Sequence, residues 1–435
     1  MLPVNPGGHA AYQNFVATNL RKYYPNPDAF SPATWDIIER FWNLDLSYTD
    51  DLLRSKYSVF GPKPRTPSCM QRSYLLSIDF KIHSLTDWAA QLKINPLYAI
   101  LSGFEFGDTP GVGTFYDFLS RLWDSEDSNL SSHLRPAKEK RIKKPTQKGA
   151  KAESVEKVSV DQLLGQLEAA SFVLDDQPYS SLFKIYHREF LSQSITKGLI
   201  DPSVLSLAGD GTPVVTSARE RKHPASKHDS LGFLETWFRM KAFLPDLHVS
   251  KWLLDSAHDA MPYYIYCRKN HIQPFIDLNV KRGIKVKYKN DFTIGEDGVP
   301  VCKAGRKMRH DGSEPSKGRL KFRCPLASRK YGCSCTHPCS DSKYGRTVHL
   351  AMKDNPRLIN FPPRDTKEWK KEFNARTSAE RSNKREKIGF QLESGRHRST
   401  KMWYCRLYHI MMLQHLDAWD LPYESTLRKL IQQTA

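Results

Sequence analysis

The chain has 435 residues, of which 39% are hydrophobic and 26% charged, a composition typical of a folded protein with two or three domains. It has 66 basic and 47 acidic residues, so the net charge is +19, and such an excess favours nucleic acid as the partner. The sequence has no run of 18 apolar residues and no secretory leader, which argues against a membrane span and predicts a cytoplasmic protein.

Residues 1–123 are predicted to form an all-helical N-terminal domain. Apolar residues recur at helical spacing in the segments PATWDIIERFW, SLTDWAAQLK and TFYDFLSRLW. The last two segments begin with candidate caps, Ser84 with Asp87 and Thr114 with Asp117. Two short capped helices can form a helix-turn-helix that binds DNA, and an ordinary helical bundle explains the same pattern equally well.

Residues 124–157 are polar and, from Arg135 onward, strongly basic, without hydrophobic periodicity. We predict a basic linker there. Helical periodicity returns in two stripes, Val160–Leu167 and Leu182–Phe190, and core packing is a sufficient explanation for both.

Two acidic residues follow short apolar runs that are typical of buried strands. Asp210 ends the run LSLAG, and Asp255 ends the run WLL. Burying a carboxylate is unfavourable unless a partner or a metal ion holds it. We predict further strands around Phe233–Leu244, a helix through Tyr264–Asn270 and a strand at Pro274–Leu278.

The segment FNARTSAERSNKREK, residues 373–387, places Arg376, Glu380, Asn383 and Lys387 on one face of a predicted helix. A carboxylate between two cations suits a site in which the acid binds a divalent metal and the cations bind phosphate oxygens. The alternative is a solvent-exposed helix with an Arg–Glu pair one turn apart.

Together, Asp210, Asp255 and Glu380 resemble the DDE triad of bacterial insertion-sequence transposases with an RNase H-like catalytic domain. Arg376, Glu380 and Lys387 match the spacing of the Y-x2-R-x3-E-x6-K motif of that group. Phe373 stands where the motif has tyrosine, so the ring is kept and the hydroxyl is lost. The resemblance covers the chain from about residue 70 onward.

The resemblance implies an α/β fold with an RNase H-like mixed sheet flanked by helices. Residues 158–281 would form the first part of the catalytic domain, and residues 282–346 a Cys-rich insertion within it. Residues 347–435 would form the second part together with a C-terminal helix, which we expect to pack on the sheet. Residues 1–123 would then bind the transposon ends.

The resemblance also implies the chemistry. Asp210, Asp255 and Glu380 would hold two Mg²⁺ ions about 3.5–4 Å apart, with Mn²⁺ as a substitute. Cleavage at the inverted-repeat ends of the element would free a 3′-hydroxyl, which then attacks target DNA. The cations expected to bind DNA are Arg376, Lys384, Arg385, Lys387, Arg396 and Arg398.

Five of the eight cysteines lie between Cys302 and Cys339. Cys302, Cys324, Cys335 and Cys339 are candidate ligands for a structural zinc ion, although their spacing departs from two C-x2-4-C pairs. A small strand-rich unit with buried free thiols is the alternative.

Two other functions remain open at this stage. The chain could be an RNase H-like metal-dependent nuclease without strand transfer, or a catalytically inactive DNA-binding protein derived from a transposase. For a transposase, the partners would be double-stranded DNA of both the element ends and the target, without a membrane. By analogy, a homodimer would pair two ends, and the protein would associate with the bacterial nucleoid.

Overall fold

Most of the chain is described by a computed structural model. The described residues are 8–26, 30–125, 159–210, 229–279, 292–295, 297–328, 332–336, 338–353, 355–395, 399–419 and 426–432. Within them the protein is mixed α/β, as predicted, with more helix than strand. None of the helices in these ranges combines the length and the apolar character needed to cross a bilayer. The predicted linker, from residue 126 onward, lies outside the described residues.

The N-terminal part of the described chain is helical. Its α-helices are α1 (Gly8–Tyr23), α2 (Pro32–Trp42), α3 (Ser47–Leu53), α4 (Pro67–Asp79), α5 (Leu85–Ile94), α6 (Pro96–Ser102) and α7 (Val112–Arg121). Three of these helices begin with a proline: α2 with Pro32, α4 with Pro67 and α6 with Pro96. The first residue of a helix has no helical partner for its N–H, so proline, which lacks that group, fits there. The apolar stripes predicted for α2, α5 and α7 are buried in one core, so these three helices are confirmed.

The start of α7 differs from the prediction. Thr114 was the predicted cap, but α7 begins at Val112 and Gly111 is its N-cap, without a side-chain hydrogen bond. Glycine is a favourable N-cap residue, so Thr114 falls inside the first turn instead. Helix α5 begins as predicted, with the Ser84 hydroxyl accepting a hydrogen bond from the Asp87 N–H at 3.2 Å.

Three short helices follow the linker: α8 (Val160–Ala169), α9 (Ser180–Ile185) and α10 (Ser192–Thr196), with a π-helical segment at Tyr186–Leu191. Both predicted stripes are buried, but in different cores. Leu163 and Leu167 of α8 pack with the sheet described next, whereas Leu182 and Phe190 pack with the N-terminal helices. The chain therefore passes between two cores within this segment.

A three-stranded parallel sheet follows, with two helices connecting its strands. The elements are β1 (Leu205–Gly209), α11 (Asp229–Phe243), β2 (Val249–Leu254), α12 (Met261–Lys269) and β3 (Gln273–Ile276). The strand order is β1-β2-β3, and both pairs are parallel. The strands predicted to end at Asp210 and Asp255, the helix near Tyr264 and the strand near Pro274 are therefore confirmed.

Residues 233–244 were predicted as strands, and that prediction is wrong because α11 occupies this segment. Its buried residues, Ser230, Leu234 and Trp237, follow the spacing of an α-helix. The run of aromatic residues, which are common in strands, led to the prediction of a strand. The segment forms a helix instead, which places Trp237 against Trp252 on one face of the sheet.

The two faces of the sheet are buried by different helices. Trp252, Leu254 and Ile276 pack with α8, α11 and α12, whereas Leu253 and Phe275 face the opposite way. This alternation follows from the two-residue period of a strand. The second face receives a later helix that belongs to the candidate site.

A strand-rich unit follows the sheet. It contains β4 (Phe292–Ile294), β5 (Pro300–Cys302), β6 (Arg309–Glu314), β7 (Arg319–Arg323), β8 (Ala327–Ser328), β9 (Gly332–Cys333) and β10 (Thr347–Ala351). All pairs within it are antiparallel, and the largest sheet has the order β10-β7-β6. The unit has its own small hydrophobic core, which includes Met308, Leu320, Phe322 and Leu350.

The last described elements are α13 (Lys367–Asn374), α14 (Thr377–Lys384), α15 (Thr400–Ala418) and α16 (Thr426–Gln432), with a π-helical turn at Arg385–Gly389. Helix α15 was expected to pack on the sheet, and this is wrong. It is buried instead among the N-terminal helices and α9, because residues such as Cys405, Ile410 and Leu413 give it apolar surface on several sides. We call α1–α7, α9, α10, α15, α16 and the segment Tyr186–Leu191 the helical body.

Candidate active site at the ends of the parallel strands

Asp210 and Asp255 follow the carboxyl ends of two neighbouring parallel strands. Gly209 pairs with Leu254, so the next residue on each strand is one of the two acids. Neighbouring strands lie about 4.8 Å apart, which brings the two backbones together at one edge of the sheet.

Gly209 allows this arrangement because there is no room for a side chain. A Cβ atom there would lie 2.6 Å from the Phe233 ring and 2.7 Å from a Leu254 methyl group. Any larger residue would therefore displace α11 or β2 directly beside Asp210. The glycine before the acid is a packing requirement that the sequence did not reveal.

Asp255 is held in place by the turn that follows it. Its Oδ1 accepts a hydrogen bond from the Ala257 N–H at 3.0 Å and lies 2.7 Å from the His258 Nδ1. Asp255 is thus the N-cap of a short 3-10 turn, Ser256–His258. Its side chain is 37% exposed, whereas His258 is buried between the rings of Phe233 and Tyr263.

The neighbouring acid, Asp259, has a structural role. It is fully buried, and its Oδ2 accepts hydrogen bonds from the Asn279 N–H at 2.7 Å and from Arg357 Nε at 2.8 Å. Its Oδ1 accepts one from the Tyr264 hydroxyl at 2.9 Å. Both oxygens are therefore committed to joining β3, α12 and the segment before α13.

The predicted helix of residues 373–387 is divided into parts. Helix α13 ends at Asn374, α14 begins at Thr377, and Lys387 lies on the following π-helical turn. At the join, the N–H groups of Ala375, Arg376 and Ala379 bond to carbonyls three residues back, which tightens the backbone. The expectation of one continuous helix with all four polar residues aligned is therefore wrong, although Arg376 and Glu380 remain neighbours.

An aromatic stack connects this join to the sheet. Trp369 of α13 packs with Leu253 and Phe275, and its ring stacks on Phe373 at 4.7 Å between centroids. The Arg376 guanidinium lies over the Phe373 ring at 5.7 Å, and it donates to Glu380 Oε1 at 2.5 Å. The ring at position 373 therefore holds the arginine, a role that needs no hydroxyl group.

Helix α14 reaches the strand ends through Asn383. Its amide Nδ2 donates to Asp210 Oδ2 at 3.0 Å, across 173 residues of sequence. Asn383 lies three residues after Glu380, so the two side chains are on one side of the helix. The helix that carries Glu380 is thereby joined to the end of β1.

The other end of this segment is anchored on the helical body. Glu386 Oε1 accepts hydrogen bonds from Ser382 at 3.2 Å and from Gln414 of α15 at 3.3 Å, and burial raises the pKa of the Glu386 carboxyl. Arg385 also pairs with Asp417 of α15. Helix α14 therefore bridges the sheet and the helical body, a role that the sequence reasoning missed because both partners are distant in the chain.

The three predicted acids do not form one cluster among the described residues. Glu380 is paired with Arg376 and is 50% exposed, while Asp210 and Asp255 lie on the adjacent strand ends. In the part of the chain that the structure describes, no three His, Cys, Asp or Glu side chains are close enough together to hold a metal ion.

The cations predicted to bind DNA differ in their surroundings. Lys384 is exposed and has no ion pair within the described ranges, whereas Lys387 lies 3.5 Å from Glu393. Arg376 is largely covered, and Arg385 faces the helical body as well as solvent. Arg396 and Arg398 lie outside the described residues. Among the members of the predicted set that the structure describes, Lys384 is the cation most open to a phosphate.

The candidate zinc ligands lie in the strand-rich unit. Cys302 and Cys324 are buried, and Cys335 and Cys339 are partly exposed. Cys302 packs in the small hydrophobic core of the unit. Within the described ranges, these four cysteines form no metal-binding group with other His, Cys, Asp or Glu side chains. The zinc site stays a prediction.

Comparisons of the chain with models of known protein families, with curated proteins and with solved structures find no match.

Proposed function

We propose that the chain is a DNA transposase of the DDE class, which cleaves DNA at the inverted-repeat ends of an insertion sequence and joins them to target DNA. The observation that carries the proposal is the hydrogen bond between Asn383 and Asp210. It brings the helix with Glu380 to the edge where two acids end adjacent parallel strands. This contact between elements far apart in sequence supports a site to which all three acids contribute.

We further propose that the parallel sheet belongs to an RNase H-like fold. In support, β1, β2 and β3 lie side by side with helical connections, and the two acids follow their carboxyl ends. Trp369 of α13 packs on one face of the sheet, and the next helix, α14, carries the third acid and is hydrogen-bonded to Asp210 through Asn383. The strand-rich unit between β3 and α13 is compatible with an insertion in such a domain.

The oxygen ligands suit two Mg²⁺ ions, for which Mn²⁺ would substitute. Carboxylates are the ligands that Mg²⁺ prefers, and one oxygen each of Asp210 and Asp255 has no hydrogen-bond partner among the described residues. Glu380 would complete the set once its carboxylate leaves Arg376. When bound, such ions supply activation of the attacking oxygen and stabilisation of the leaving oxygen in phosphodiester transfer.

The remaining residues would bind and orient the DNA. Arg376, whose guanidinium lies over the Phe373 ring, would exchange its ion pair with Glu380 for one with a phosphate near the scissile bond. Lys384 and Lys387 would contact the backbone further along. The exposed cations of this surface, which favour a polyanion, are Lys367, Lys370, Lys371, Arg381, Lys384 and Arg385.

We extend the proposal to partners and location. The helical body would bind the element ends, a homodimer would hold two ends together, and the protein would associate with the nucleoid. The support is the net charge of +19 and the exposed cations of α13 and α14.

The test is cleavage of a duplex that carries the inverted repeats expected to flank the gene. We expect wild-type protein to cut at the repeat boundary with Mg²⁺ but not with EDTA, and to form a joined product with target DNA. Asp210→Asn and Asp255→Asn should bind the duplex without cutting it. Cleavage by wild-type protein without preference for the repeats and without joined product would indicate a nuclease instead.

One observation favours a second candidate, a transposase-derived DNA-binding protein without catalysis. Glu380 is neutralised by Arg376 and does not join the other two acids in a metal-holding group within the described residues. Repeat-specific binding by wild-type protein, with no cleavage in Mg²⁺ or Mn²⁺, would select this candidate.

A further inference from the structure

We propose that His258 and Asn383 are positioning residues that orient the two strand-end carboxylates for metal binding, an inference that rests on the proposed function. Each places a nitrogen against one oxygen of one acid. His258 Nδ1 lies 2.7 Å from Asp255 Oδ1, and Asn383 Nδ2 lies 3.0 Å from Asp210 Oδ2. The two acids are therefore held in the same way by residues from different elements.

The imidazole of His258 is fixed in orientation. It is 1% exposed and makes edge contacts with the rings of Phe233 at 5.5 Å and Tyr263 at 5.7 Å between centroids. A carboxylate can only accept a hydrogen bond, so Nδ1 must carry the proton. The packing thus presents one N–H to Asp255 and prevents the ring from turning away.

Asn383 acts from the opposite side of the site. Its side chain is partly exposed, so the hydrogen bond to Asp210 rather than packing sets its position. It also lies on the same helix as Glu380. The amide therefore fixes the rotation of Asp210 and ties that acid to the helix that carries the third carboxylate.

The chemistry of the donors matters for a metal site. A single N–H donor orients a carboxylate and leaves its other oxygen open, whereas an arginine would compete with a divalent cation for the same carboxylate. With one oxygen held, Asp210 Oδ1 and Asp255 Oδ2 are the atoms presented to a metal, since neither has a hydrogen-bond partner in the described part of the chain. Hydrogen-bonded partners of this kind orient metal ligands and raise metal affinity.

The experiment measures Mn²⁺ binding to the full-length protein by electron paramagnetic resonance. We expect Asn383→Leu and His258→Leu each to raise the Mn²⁺ dissociation constant by about 10–100-fold. Asn374→Leu and His248→Leu make the same chemical changes at exposed positions outside the site and should leave the constant unchanged. His258→Asn, whose amide can replace the lost N–H, should recover most of the affinity.

Folding is controlled separately, because His258 is buried. Thermal unfolding without metal identifies a misfolded His258→Leu protein, and the comparison of His258→Asn with Asn383→Leu then carries the test. A dissociation constant unchanged in Asn383→Leu and in a folded His258 variant would overturn the inference while the metal site itself stands. If wild-type protein binds no Mn²⁺, the proposed function fails as well.

Discussion

The helical body and the strand-end site treat their ionisable side chains in opposite ways. In the body, burial raises the pKa of Glu189 to about 8 and lowers the pKa of His409 to about 4, so both are neutral near pH 7. At the site, the side chains of Asp255 and Glu380 are 37% and 50% exposed. The body thus uses polar groups for internal hydrogen bonds, whereas the site keeps carboxylates accessible to a ligand.

Removing the charge of Glu380 should produce the largest effect at the site and almost none on the fold. We expect Glu380→Gln to lower the rate of Mg²⁺-dependent DNA cleavage by more than about 100-fold, since a metal ligand should matter more than its hydrogen-bonded partners. The free energy of unfolding should stay the same, because the carboxylate is half exposed. Cleavage assays and urea unfolding measure the two quantities.

Glu368→Gln is the matched control, because Glu368 is an exposed acid on the neighbouring helix α13. It should retain wild-type cleavage. Normal cleavage by Glu380→Gln would remove Glu380 from the site.

Trp369 attaches α13 to the sheet through a small hydrophobic cluster with Leu253 and Phe275. Trp369→Ala should lower the free energy of unfolding by about 3–5 kcal/mol, because the ring is 6% exposed and packs between the sheet and Phe373. DNA cleavage should fall as well, because Phe373, over which the Arg376 guanidinium lies, loses its stacking partner. Denaturant unfolding of wild type and variant gives the number, and a loss below about 1 kcal/mol would contradict this packing role.

Glu189 should make the stability of the helical body depend on pH. Its carboxyl accepts hydrogen bonds from the Thr49 N–H at 2.9 Å and the Thr49 hydroxyl at 2.8 Å, and burial raises its pKa from 4.5 to about 8. Because the pKa of this carboxyl is higher in the folded protein than in the unfolded chain, its contribution to stability is complete below pH 4.5. That contribution is lost as the pH rises from 4.5 through about 8.

Glu189→Gln removes this titration while keeping the shape of the side chain. We expect wild type and variant to have similar melting temperatures near pH 5, and the variant to be more stable near pH 8 by about 2–4 kcal/mol. Metal affinity should not change. A pH-independent difference in the free energy of unfolding would contradict the account.

Lys384 should produce the smallest effect. Lys384→Gln should reduce the salt dependence of DNA binding by about one phosphate contact, a change of about 0.9 in the slope of log K against log salt. Lys343→Gln is the control, an exposed lysine in the strand-rich unit. Equal slopes for wild type and Lys384→Gln would remove this lysine from the DNA surface.

Hydrophobic periodicity was sufficient to predict the helices and strands whose buried residues form a regular pattern within a short segment. It predicted α2, α5, α8 and the strands before Asp210 and Asp255, since in each case the buried residues are close in sequence. It failed for α11, where aromatic residues suit both strand and helix and only the packing on Trp252 decides.

The candidate site was only partly predictable. The types and spacing of Asp210, Asp255 and Glu380 could be recognised, but the hydrogen bonds from Asn383 and His258 could not, because these depend on the fold and on local rotamers. The placement of α15 in the helical body was also hidden, since its apolar residues fit any core.

The most direct test of the account is a crystal structure of the protein grown with Mn²⁺ and a DNA end, with the ions located by anomalous scattering. We expect Mn²⁺ bound by oxygens of Asp210, Asp255 and Glu380 at about 2.1 Å, with Arg376 moved from Glu380 to a phosphate. Ions absent from these carboxylates, with Glu380 still paired to Arg376 beside bound DNA, would contradict it.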